Sequence, residues 1–135
     1  MKIKPKVGVV SCSGECCSLG TLSRVATRLV LEKLQPNRTV TICLPLFLAG
    51  ETQEHVFAKE YPTIAVDGCG MFCAMKAITK YSKEPAASVN VESLLKEWGV
   101  EPPKNRRVLD EKAVEIAKHL AELLSDKVVE IQEAH

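Results

Sequence analysis

The stretch Thr63-Ile64-Ala65-Val66-Asp67-Gly68-Cys69-Gly70-Met71-Phe72-Cys73-Ala74 runs four uncharged, largely apolar residues into a carboxylate, a glycine and two cysteines. A short apolar run without polar alternation is the pattern of a strand covered on both faces, as in parallel sheets. Beyond it, Cys73, Ala74, Ala77, Ile78 and Tyr81 recur at helical spacing, so a helix is expected over 70–81. A buried strand that passes directly into a helix is half of a β-α-β unit, and the rest of the chain is read outward from there.

Upstream, residues 6–11 repeat the pattern with Val7, Val9 and Val10, and end on a second thiol-rich loop, Cys12-Ser13-Gly14-Glu15-Cys16-Cys17. From Thr21 the period changes. Leu22, Val25, Ala26, Leu29, Val30 and Leu34 define the inner face of an amphipathic helix, with Arg24, Arg28, Glu32 and Lys33 outside and Pro36-Asn37 as its stop. Residues 39–44 read as a second strand that Pro45 closes, with Cys43 inside it as a small hydrophobe. Residues 50–60 read as a short helix with Glu51 and Glu54 in its first turn. Downstream come a weaker strand over 86–91, a helix over 92–98 capped by Gly99, a solvated loop carrying Arg106 and Arg107, and a last helix that Asp110 caps. Its stripe is Ala113, Val114, Ala117, Leu120, Ala121 and Leu124.

Strands alternating with helices predict an α/β fold: one domain over 1–135, three layers, and a mostly parallel four-stranded sheet of order 2-1-3-4, flavodoxin-like or Rossmann-like, with helices on both faces. In that order strands one and three are neighbours, and their carboxyl ends form the switch point where open α/β sheets bind ligands. Both cysteine loops sit there.

Composition narrows the function classes. A formal net charge of +1 offers no basic field for nucleic acid. No apolar stretch approaches a membrane span, and the basic start at Met1-Lys2-Ile3-Lys4 is followed by too short an apolar run for a signal peptide. A cytoplasmic protein is therefore expected. In that compartment thiols stay reduced, so six cysteines point to metal or redox chemistry rather than structural disulfides.

Cys12 and Cys16 are three residues apart, as are Cys69 and Cys73. Two such loops supply four thiolates, the set that closes a tetrahedral zinc site, with an iron–sulfur cluster as the alternative. Cys17 and Cys43 compete with Cys16 for the fourth place. The glycines at 14, 68 and 70 are expected to let the backbone close around the ion, and Asp67 to accept backbone N–H groups behind it. Because each loop opens onto a helix N-terminus, the thiols are expected to have lowered pKa values. The same environment suits a thiol redox enzyme with Cys12 as nucleophile. A phosphatase loop is disfavoured, since the arginine such loops carry six residues after the nucleophile is here Ser18. His55, His119 and His135 read as structural or surface residues. The loops near Phe47 and Trp98 are the places left for a protein contact.

Asp67-Gly68-Cys69 followed by Cys73-Ala74 resembles the motif of the DGC-domain family, and Ser11-Cys12-Ser13-Gly14 with Leu19-Gly20 is similar to that family's segment after its first strand. The resemblance covers residues 7–77. It implies a small protein whose cysteines are proposed zinc ligands, with a structural, storage or delivery role. Glu15 is an insertion relative to the family's C-S-G-C form, and Cys17 is extra.

Overall fold

The computed structural model describes residues 4–135, so Met1, Lys2 and Ile3, with the N-terminal reading that falls on them, lie outside the described residues. The elements in order are β1 (Val7–Ser11), α1 (Ser18–Leu29), β2 (Thr39–Val40), α2 (Leu44–Ala49), α3 (Thr52–His55), α4 (Phe57–Glu60), β3 (Thr63–Asp67), α5 (Cys73–Tyr81), β4 (Ala87–Asn90), α6 (Val91–Trp98) and α7 (Glu111–Glu133). The strands form one parallel sheet in the expected order β2-β1-β3-β4.

Strand periodicity divides the core in two. Val7 and Val9 of β1 and Ile64 and Val66 of β3 face one side, where α1, α6 and α7 supply Leu22, Ala26, Leu95, Leu120 and Leu124. Val10 and Ala65 face the other, against Leu44 and Phe47 of α2, Ala58 of α4, and Ala74, Ala77 and Ile78 of α5. The α/β reading and its helices on both faces are thus present in the structure.

Four local expectations change. First, β2 is only two residues long: the Thr41 hydroxyl donates to the Val9 carbonyl at 2.7 Å, so a side chain satisfies the acceptor that a longer β2 would have used. Pro45 does not end the strand but sits in the first turn of α2, where a missing N–H costs nothing. Cys43 is accordingly an exposed residue preceding α2, not an apolar strand residue. Second, α1 starts at Ser18 and its last turn, Val30–Leu34, widens into a π-helix. Third, the helix expected over 50–60 is two single turns, α3 and α4, the first closed by a reciprocal Glu51–Glu54 capping box. Fourth, the segment around Phe47 is helix α2 and not a loop, with Phe47 itself buried at 1% exposure and its neighbours Leu46 and Leu48 exposed.

Candidate metal centre

The carboxyl ends of β1 and β3 come together because their backbones pair: Ser11 is in register with Val66, and the Cys12 N–H donates to the Val66 carbonyl at 2.9 Å. The loops that follow can only meet if helix α1 lets them. A β-carbon on Gly68 would lie 2.4 Å from the Gly20 nitrogen, and one on Gly20 would lie 2.8 Å from the Gly14 α-carbon. Gly14 also has φ +79°, a conformation costly for other residues. Gly14, Gly20 and Gly68 are therefore a three-way backbone seam joining the two cysteine loops through the start of α1. Gly70, also expected to be needed for tight folding, faces open space at its β-carbon position and takes no part.

Asp67, 1% exposed, accepts from the Ala74 N–H at 2.7 Å and the Met75 N–H at 3.0 Å. It thus caps α5 from the end of β3, spanning the loop that carries Cys69. This explains why α5 begins at Cys73 and not at Gly70. The residue before it, Phe72, has φ 54° and cannot cap; a bulky side chain in the left-handed region stores strain that the surrounding contacts must hold. Burial pushes the Asp67 carboxyl above its ordinary value, while the two N–H bonds and Lys76 pull it down without cancelling that effect.

Cys12, Cys16, Cys17, Cys69 and Cys73 line one cavity of about 300 Å³ with Asp67, rimmed by Leu48 and Met71. The four residues expected as ligands are all among them. Cys43 lines a neighbouring cleft with Arg24 and Arg28, which also reaches Cys12. Of the two rivals, Cys17 lines the same cavity and Cys43 does not.

The expected lowering of the thiol pKa values does not hold at Cys73. Its thiol is pushed up, first by loss of solvent, then by the Asp67 carboxylate and the neighbouring thiols of Cys12, Cys69 and Cys16. Loss of solvent is the largest of these causes. Thiolates gathered in one cavity would repel one another, and a divalent cation relieves such repulsion. Among the described residues no group of three or more His, Cys, Asp or Glu side chains stands arranged to hold a metal ion. The donors fit zinc in kind and share one cavity.

Sequence reasoning missed three supports. Ser23, fully buried one turn into α1, places Oγ 3.2 Å from Cys12 Sγ. Asn90, at the end of β4, donates from Nδ2 to the Cys69 carbonyl at 2.9 Å while its Oδ1 accepts from the Ser93 N–H. The loop at 101–110, read as solvated, lies against the first cysteine loop: Thr21 Oγ1 donates to the Arg106 carbonyl at 2.5 Å, and Arg107 pairs with Glu15 at 3.6 Å. Only Asn90 carried a signal, as an N-cap type before Val91. The histidines lie outside this cavity. His55 stacks on Tyr81 with centroids 5.0 Å apart and meets the edge of Phe47, and His119 meets Trp98.

A family model described as the DGC domain matches residues 8–123. No curated protein and no solved structure shows a significant match to the chain.

Proposed function

The chain belongs to the DGC-domain family, and from that premise we propose that it is a cytoplasmic metal-binding protein that takes one zinc ion between β1 and β3 through Cys12, Cys16, Cys69 and Cys73. The observation that carries this reading is the cavity that Cys12, Cys16, Cys69 and Cys73 line together at the paired ends of β1 and β3. Zinc, when bound, supplies the positive charge that lets four thiolates share the site. The chain's own part is to present the sulfurs from paired strand ends and to hold the loops with Asp67, Asn90 and the glycine seam. Both sheet faces carry their own apolar core, so the fold does not need a metal as a staple. Cys16 and Cys73 are exposed, within reach of an incoming thiol. Storage or delivery follows more naturally from these features than a structural role.

The test is metal analysis of protein purified without chelator. Wild type is expected to hold close to one equivalent of zinc, Cys69→Ser to lose it, and Cys43→Ser to keep it. Visible absorption from an anaerobic sample would replace zinc by an iron–sulfur cluster. A metal-free wild type that cannot be loaded sinks the reading, and leaves a thiol enzyme with Cys12 as nucleophile as the class to pursue.

A further inference from the structure

Ser23 is 0% exposed, although nothing in the helical pattern of α1 demands a polar residue there. Its hydroxyl is engaged twice. Oγ donates to the Gly20 carbonyl at 2.7 Å and lies 3.2 Å from Cys12 Sγ. A hydroxyl has one hydrogen and two lone pairs. With that hydrogen on Gly20, the oxygen can only accept, and the hydrogen between Ser23 and Cys12 must be the thiol's own. This arrangement suits Cys12 as a neutral thiol. It fails once the sulfur has lost its proton, because a thiolate and a hydroxyl lone pair would then face each other in a buried space.

We propose that Ser23 is the positioning residue of Cys12: when the Cys12 sulfur exchanges its hydrogen for a metal bond, the Ser23 hydroxyl turns from the Gly20 carbonyl to donate to that sulfur. The inference rests on the zinc reading above. In the step, the S–H bond breaks, its proton passes to solvent, and the sulfur keeps the electron pair that it shares with the metal. The Gly20 carbonyl is not orphaned by the turn, since it lies in α1 at the position that accepts the Arg24 N–H four residues on. A donor aimed at a ligand sulfur holds its direction and stabilises its charge, as groups behind metal ligands do. Among the five thiols of the cavity, only Cys12 has a side-chain hydrogen-bond partner among the described residues. Ser23 thereby commits Cys12 to the ion and leaves Cys16 and Cys17 to compete for another place.

The experiment is a double-mutant cycle in zinc affinity, read by competition with a chromogenic chelator. Ser23→Ala is expected to weaken zinc binding by about tenfold to a hundredfold, the range for removing a partner of a metal ligand. Thr27→Val is the control: Thr27 is buried one turn further along α1 with a hydroxyl that has no hydrogen-bond partner, and its replacement should leave affinity unchanged. In a Cys12→Ser background the Ser23→Ala penalty should vanish, because the sulfur it serves is gone. Wild-type affinity in Ser23→Ala, or an equal penalty in both backgrounds, overturns the proposal. A second readout needs no metal. In the metal-free protein the S–H stretching band should contain a hydrogen-bonded component that both Cys12→Ser and Ser23→Ala remove. If wild type takes up no zinc, the metal reading fails by itself, and absence of that component then refutes the Ser23 contact separately.

Discussion

At the residue scale the cysteines are the least informative part of the site, because what makes them a cluster is the backbone that presents them. Gly68 and Gly70 look alike in sequence, flanking the same cysteine, yet a β-carbon on Gly68 would meet Gly20 backbone at 2.4 Å and one on Gly70 would meet nothing within 4 Å. Gly68→Ala is therefore expected to cost about 1–3 kcal/mol, the usual range for overpacking, and Gly70→Ala to stay within about 0.5 kcal/mol. Urea unfolding of the two variants side by side checks this. Asp67→Ala leaves the Ala74 and Met75 N–H groups without their acceptor. Its expected cost is about 1–2 kcal/mol, the scale of a lost helix cap. The sequence lets Asp67 be read as an acceptor of backbone N–H groups behind the cysteine loop; that those groups belong to the first turn of α5, so that it acts as a cap, comes from the structure. The roles of Gly20 and Ser23 are not legible in the sequence: they depend on which atoms of α1 face the loops, and helical periodicity alone does not report that.

At the scale of elements, the long apolar segments were readable and the short ones were not. β1, β3 and α7 announce themselves because many residues agree on one period. β2 and the turns α2 to α4 are decided by single interactions, such as the Thr41 hydroxyl on Val9 and the Glu51–Glu54 box, which no pattern of hydrophobicity encodes. Helix α7 covers the sheet face that α1 and α6 share, and two polar contacts fix its placement: Gln35 to Ser125 at 2.8 Å and Gln132 to the Pro5 carbonyl at 3.1 Å. Leu124, 0% exposed, is central to that packing. Leu124→Ala is expected to destabilise by about 2–5 kcal/mol, whereas Lys118→Ala, on the exposed face, should fall within about 0.5 kcal/mol. A thermal scan of both variants separates the buried stripe from the solvated one.

At the scale of the whole molecule, the zinc proposal makes a thermodynamic prediction. An ion that binds the folded chain and not the unfolded one stabilises it by about 2.7 kcal/mol at a free concentration a hundred times its dissociation constant. For a chain of this size that raises the melting temperature by roughly ten degrees. Scanning calorimetry with and without zinc should show the shift in wild type and in Cys43→Ser, whose thiol lines the neighbouring cleft, and lose it in Cys69→Ser. What the sequence determined by itself was the parallel sheet, its order and the meeting of two cysteine loops at one edge, since buried strands alternating with amphipathic helices and right-handed crossovers admit few other topologies. Tertiary structure alone decided which thiols share a cavity, which glycines make the seam, and which side chains stand behind the sulfurs. Those relations join residues far apart in the chain, such as Gly20 to Gly68 and Asn90 to Cys69, and arise only when the helices pack onto the sheet.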